Sequence, residues 1–508
     1  MSTNNGLSRR SLLQLAGASA AIIPGLNAVA QDTPVQDEIT VGNGGPLELA
    51  CTSFDCTPPL GFPAEALGVR EYVTKIEGPL ETRVFALRQG DLCIGWGNSD
   101  FNVYDQTRQR LSETLKIPLT RTIHSCTHNH SAIRESGFGP HDKTGFTTKF
   151  FGDLDKAVSS LPEKFTPVTV SWATGEEGAI TYNRKGRCPN GCTYFMREED
   201  RIRLAPSYTG VIDTTASVIR FDGREGEPKL LMTHFTGHPV IAYNLEAPVA
   251  NPDYSGWSII DLIEAHGKAR PVGVFLQGCA GDINAKGMFE GPALARQSGA
   301  KLGKVFIEAS RRTKKVNGSK LGFATGVCHV PYRELPSMED LLKQKEILAA
   351  FDKRLLAGDE SALYVIGYNF SETMQIGYRR NISQSFVRWT DWAIQMRKEG
   401  KAKPLESLEV RVQVTAIGDL AIVTMPHELF VGIGFSIRKR SPFAYTVPAA
   451  YSNALYPGYI GTTKDVGDTE YMSSYYRHIT KPPYDHPCGD VIADKAVDLL
   501  TKLKTAMA

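Results

Sequence analysis

The stretch Trp257-Ser258-Ile259-Ile260-Asp261-Leu262-Ile263-Glu264-Ala265-His266, then Val272-Gly273-Val274-Phe275-Leu276, then Gln277-Gly278-Cys279-Ala280-Gly281-Asp282-Ile283-Asn284, decides the fold class. In the first part Ile259, Ile260, Leu262 and Ile263 recur at helical spacing; the second is an unbroken apolar run of strand length. The third leaves that strand through two glycines and leads to a second helical pattern from about Ala293 to Arg311. Helix, buried strand, glycine-bearing loop and helix in succession predict an α/β fold with a mixed sheet covered by helices.

The same reading extends outward. Arg83 to Leu87 and Leu92 to Trp96 flank the turn signal Gln89-Gly90, Thr120 to Cys126 is strand-like, and Leu230 to Phe235 is a further apolar strand. Val410, Val412 and Val414 alternate with polar neighbours and pair through Gly418-Asp419 with Leu420 to Val423. A last amphipathic helix is expected over roughly Val491 to Leu503. No internal repeat, low-complexity segment or Pro/Ser-rich linker divides the chain, so residues 31–508 are expected to form a single domain.

The 508 residues are 42% hydrophobic and 22% charged, which is an ordinary globular composition. A net charge of +2 excludes the concentrated basic excess of a nucleic-acid binder. The basic run Arg311-Arg312-Thr313-Lys314-Lys315 reads as a solvated helix end.

At the N-terminus Ser8-Arg9-Arg10-Ser11-Leu12-Leu13 precedes an Ala/Gly-diluted apolar stretch that is shorter than the ~20 residues needed to span a bilayer. Ala28-Val29-Ala30 then supplies a signal-peptidase site. Residues 1–30 therefore read as a twin-arginine signal peptide. The expected partner is the twin-arginine export machinery, and the expected destination is the periplasm or the exterior, with no transmembrane segment in the mature chain. Of nine cysteines, Cys188 and Cys192 suit a small disulfide loop after export, and Cys51 and Cys56 a second.

Candidate reactive residues gather at strand ends. His128 and His130 follow Thr120 to Cys126 and project from one face if the strand continues through them. His238 closes the strand Leu230 to Phe235, beside Gly237 and Pro239; Asp282 and Asn284 lie in the loop after Leu276. Glu428 follows Met425-Pro426-His427, and Tyr459 and Tyr471 belong to a tyrosine-rich segment that begins at Tyr456. Nitrogen and oxygen donors of these types suit zinc. Taken singly, each is equally an ordinary core histidine, a capping carboxylate or an aromatic loop.

Taken in order, the islands resemble the neutral, non-lysosomal ceramidase family. Thr127-His128-Asn129-His130-Ser131-Ala132 resembles its Thr-His-Thr-His-Ser-Gly signature, Asn183-Arg184 its Asn-Arg-Ser element, and Gly237-His238-Pro239 its His-Pro segment. Gly281-Asp282-Ile283-Asn284 resembles its Gly-Asp-Val-Ser loop, and Tyr459-Ile460-Gly461-Thr462 its Tyr-Val/Ile-Thr-Thr motif. The islands span about Leu47 to Tyr471. The resemblance implies a zinc ion held by His128, His238, Glu428 and Tyr459, with His130, Arg184 and Tyr471 acting on substrate or transition state. It also implies hydrolysis of an amide in an N-acyl substrate, small or ceramide-like, by zinc-activated water.

The chain departs from the family at Asn284, where the family has serine, and at Asn129 and Ala132. It also ends soon after Tyr471, so the family's immunoglobulin-like C-terminal domain is not expected. Two further readings use the same residues: a zinc esterase or other hydrolase of a small soluble substrate, and a non-catalytic binding protein. Export is testable on its own. Replacing Arg9 and Arg10 by lysine should leave unprocessed precursor in the cytoplasm, as read by fractionation and precursor size; normal processing of that variant would point to another route.

Overall fold

Along the strand Pro228–Phe235, Leu230 and Met232 enter one apolar cluster while Leu231 and Phe235 enter another. Leu420 and Ile422 part from Ala421 and Val423 in the same way. This period of two marks sheets buried on both faces. The computed structural model describes residues 36–508 except 67–68, 134–136, 187–192, 195–196, 245–246, 405 and 454–457. The twin-arginine segment, Cys188, Cys192, Tyr456 and Pro457 lie outside the described residues.

Three five-stranded sheets are seen among the described residues, all built to one plan. In the first, the antiparallel strands Glu48–Asp55, Glu81–Gln89 and Leu92–Ser99 are followed by the helix Tyr104–Leu115 and by Thr122–Cys126, which pairs in parallel with Leu92–Ser99. The second repeats this with Thr169–Glu176, Thr215–Asp222, Pro228–Phe235, the helix Asp253–Ala265 and the parallel strand Val272–Gln277. The third uses Leu321–Val330, Leu408–Ile417, Leu420–Thr424, the helix Val431–Arg440 and the parallel strand Tyr445–Ala449. A further helix follows each unit: Phe146–Ser159, Pro292–Arg311 and Asp490–Met507.

The short strand leading into each unit adds to the edge of another unit's sheet. Thr166–Pro167 joins the first sheet, Lys314–Lys315 the second, and Glu38–Val41 the third. The arrangement thereby closes on itself. The inner faces of all three sheets share one core, including Phe85 and Ile94, Leu230 and Met232, Phe323 and Ile422. The outer faces are covered by helices, as when Ile259, Leu302 and Phe306 pack on Val218 and Phe275.

The mixed α/β class agrees with the sequence, but the triplication was not visible there. The units share a strand and helix pattern rather than residue identity, because any of Val, Leu, Ile or Phe satisfies a buried alternating position. The units differ in what they insert between their first two strands. Between the first two strands of the third unit stand the helices Met338–Leu356 and Ile376–Lys398, which have apolar clusters of their own.

Two expectations are corrected. Cys51 and Cys56 form no disulfide: all described cysteines are free, Cys51 lying opposite Phe85 within the first sheet and Cys56 being buried against Thr82. The strand Thr122–Cys126 also stops before the histidines rather than running through them. No helix among the described residues is long and apolar enough to cross a membrane.

Because one core joins all three sheets, a cavity in it should weaken the whole molecule. Phe323→Ala, at a fully buried position, should cost about 3–5 kcal/mol. Denaturant unfolding followed by tryptophan fluorescence and by far-UV circular dichroism should shift together; a shift in only one probe would mean the units unfold separately.

Candidate functional site

The parallel strands of the three units deliver their C-terminal ends to a common centre, the place where α/β sheets commonly bind ligands. His128 and His130 follow Thr122–Cys126, His238 follows Pro228–Phe235, and Glu428 follows Leu420–Thr424. The loops are tied to one another by backbone bonds: Cys126 N–H to Tyr451 O, His130 N–H to Pro239 O, and Gly281 N–H to Leu429 O. Gly281 is required there, since a Cβ would stand 2.4 Å from the Glu428 carbonyl.

Leaving the sheets to make these bonds bends the backbone. His128 (φ 59°), His427 (φ 71°) and Tyr451 (φ 55°) all occupy the left-handed region. Each such residue costs about 1–2 kcal/mol, and clustering of this strain is a mark of functional sites. The turn at His128 is what brings the two imidazoles of this loop together without a continued strand: their Nε2 atoms lie 3.2 Å apart.

The ligand-type atoms of His128, His130 and His238 all fall within 4.8 Å of one another, and this group could hold a metal ion. The Glu428 Oε2 atom lies 2.8 Å from His238 Nε2 and 3.3 Å from His128 Nε2. His238 Nδ1 donates to Ala280 O (2.7 Å) and also faces Ile283 O (3.1 Å), which fixes the tautomer and leaves Nε2 as a lone pair. Burial, aided by the Arg184 charge, lowers the His238 pKa to about 4, so the ring is neutral at neutral pH. Glu428 is buried, which alone would raise its pKa, but His128 and His238 hold it well below the ordinary carboxylate range. The 2.8 Å contact between Nε2 and the Glu428 carboxylate therefore needs either a shared proton or a cation in its place. Imidazole with carboxylate is a zinc-type donor set.

The remaining residues take several places. Tyr459 pairs its backbone with Glu428 in a two-residue parallel bridge, and its ring stands 6.2 Å from that of His238. The Arg184 guanidinium is buried 5.1 Å from the Tyr459 ring and donates to Gly281 O. Burial would lower the Arg184 pKa, but Tyr459 and Glu428 raise it, so its charge is permanent. Tyr471 is one ring further out, 5.6 Å from Tyr459. The Asp282 carboxylate is engaged elsewhere, accepting the Val431 N–H at the start of a helix and the Asn183 amide. Asn284 forms a parallel bridge with His238. Asn129 accepts from Ser131 N–H and donates to Asn251 O, a turn-closing role.

Two residues of this centre carry no role in the sequence reading. Gln277 is fully buried; its amide donates to Gly237 O (2.6 Å) and Thr127 O (3.4 Å), while its oxygen faces the Gly237 and Gly278 N–H groups. It therefore joins the loops of His128, His238 and Asp282. Tyr451 lies with its ring 4.4 Å from that of His128. Their only signal in the sequence is position, immediately at or after the end of a strand.

Beside His130 is a cavity of about 10 Å³, walled largely by Ala64, Val73, Ala132, Tyr243 and Pro248. The neutral ceramidase from Pseudomonas aeruginosa superposes on this architecture with a TM-score of 0.59, covering 90% of this chain and 75% of that one at 16% identity. The chain has the neutral ceramidase fold. A second structure, a ceramidase complexed with C2, gives a TM-score of 0.61 over 91% of this chain and 76% of that one, again at 16% identity. No protein-family model and no curated protein sequence matches the chain. The ceramidase fold is thus carried here by a pattern of elements rather than by shared residues.

Gln277→Leu removes the amide that joins three loops of this ceramidase fold. The variant should lose about 2–3 kcal/mol, read from the denaturation midpoint, because buried carbonyl and N–H groups lose their partner. An unchanged midpoint would mean that the loops hold one another without it.

Proposed function

We propose that the chain is a zinc-dependent hydrolase that cleaves the amide bond of an N-acyl substrate. The observation that carries this reading is the convergence of the His238 and His128 Nε2 atoms on the Glu428 carboxylate, at 2.8 and 3.3 Å, with His238 Nδ1 committed to the Ala280 carbonyl. His128, His238 and Glu428 would hold the ion, with Tyr459 as the fourth ligand of the family resemblance. When bound, zinc supplies acidification of water to near neutrality and polarisation of a carbonyl.

The chain's own groups divide the remaining work. His130, its Nε2 3.2 Å from His128 Nε2, would take and return a proton. Arg184 keeps a permanent positive charge beside Tyr459 and Glu428, suited to the negative charge that develops on an amide oxygen. Tyr471 lines the outer side of Tyr459 and would contact substrate there. Asn284, bridged to His238, offers an amide rather than a hydroxyl and would orient substrate or water.

Ceramidases share this fold, which favours a lipid-like substrate. The second reading is a small soluble amide or ester. Export through the twin-arginine route to the periplasm or exterior belongs to this proposal and rests on residues 1–30.

Metal analysis of purified protein should find one zinc per chain, and a panel of N-acyl substrates should be hydrolysed. A chelator should abolish turnover, and added zinc should restore it. Glu428→Gln should lower turnover more than about 100-fold by weakening the metal site, while Asn284→Ser keeps measurable activity. An inactive parent that gains hydrolysis only as Asn284→Ser would overturn the enzyme reading in favour of a binding protein.

A further inference from the structure

Tyr451 is only 2% exposed, yet its hydroxyl has no hydrogen-bond partner among the described residues. Buried phenol groups normally find one, because an unmatched O–H loses its water without replacement. The backbone around it is fully engaged. Tyr451 N–H donates to His427 O, and Tyr451 O accepts from Cys126 N–H at 3.1 Å and from the Tyr104 hydroxyl at 3.5 Å. These bonds hold the residue at φ 55°, an uncommon conformation for a bulky side chain. The fold therefore maintains a strained backbone and an unmatched hydroxyl in one residue, at the end of the parallel strand of the third unit.

The surroundings say what the hydroxyl is for. The Tyr451 ring lies 4.4 Å from that of His128 and 5.9 Å, edge-on, from that of His238. Glu428, Tyr459 and Arg184 are its charged and ionisable neighbours. We infer that Tyr451 is a catalytic residue of this centre, its hydroxyl donating a hydrogen bond to the substrate carbonyl oxygen as that oxygen gains negative charge. The inference rests on reading the histidine and carboxylate group as the reaction centre. The donor acts together with Arg184 from a different unit of the fold, and no proton leaves Tyr451.

The conservative variant Tyr451→Phe separates this role from a structural one. It should lower kcat/KM on a hydrolysed N-acyl substrate by about 10- to 1000-fold, chiefly in kcat, as for loss of one oxyanion donor. Zinc content should equal that of the parent. The melting temperature should be unchanged or raised, because the variant removes an unmatched buried polar atom. Activity within twofold of the parent, or activity and zinc lost together, would overturn the assignment. So would a melting temperature several degrees lower, which would reveal a protein partner for the hydroxyl. The melting measurement needs no substrate, so it judges Tyr451 even if the parent hydrolyses no amide, a result that counts against the proposed function instead.

Discussion

Burying an ionised carboxylate costs several kcal/mol unless its lone pairs are matched, and Glu428 is 3% exposed with two imidazoles as its side-chain neighbours. One of those imidazoles has its Nδ1–H committed to the Ala280 carbonyl. The rest of the centre follows from this arrangement. The 278–284 loop must approach closely enough to present that carbonyl, so Gly281 has no side chain and Asp282 is bonded to the helix that begins after Glu428. Gln277 binds the same loop to those of His128 and His238. The carbonyl that sets the histidine tautomer acts as an outer partner to the ligand atoms, as second-shell groups do in metal sites generally.

The threefold plan explains how so many loops reach one point. Each unit places the ends of two parallel strands at the centre, and the edge strand leading into each unit binds it to a neighbouring sheet. A displacement in one unit is therefore opposed by the other two through the shared core of Phe85, Met232 and Phe323. The three units have diverged in what they deliver: imidazoles from the first and second, a carboxylate and a tyrosine from the third. Equal scaffolds with unequal loops match the general finding that function resides in sites grafted on folds.

Much of this was legible in the sequence, and the reasons for the remainder are physical. The strands Val272–Gln277 and Pro228–Phe235 and the helix Pro292–Arg311 declare themselves by apolar periodicity, and their observed limits differ from the expected ones by a few residues at most. His128, His238 and Glu428 stood out as donors at strand ends. The triplication did not, because alternating apolar positions accept many residues and leave no repeated identity. The left-handed turn at His128 was hidden because it is imposed by bonds to the loops of other units, at long range in sequence. Gln277 and Tyr451 were missed for a related reason: a glutamine after a strand and a tyrosine after Ala449-Ala450 have no local signature, and only tertiary contacts distinguish them.

The helical insertion of the third unit is connected to the same centre by aromatic rings. From His238 the chain of contacts passes to Tyr459 at 6.2 Å, to Tyr475 at 5.0 Å, to His478 at 5.4 Å and to Phe386 of the insertion at 5.3 Å. Tyr471 closes the side of this column against Tyr459, Tyr475 and His478. Rings have few rotatable bonds, so such a column transmits position at small entropic cost. Tilted and edge-to-face contacts of this kind also add about 0.5–1.5 kcal/mol each beyond burial. The insertion thus acts as a buttress: it fixes the outer face of Tyr459, whose backbone in turn pairs with Glu428. These two long helices thus stand behind the unit that supplies both an acidic and a phenolic group to the centre.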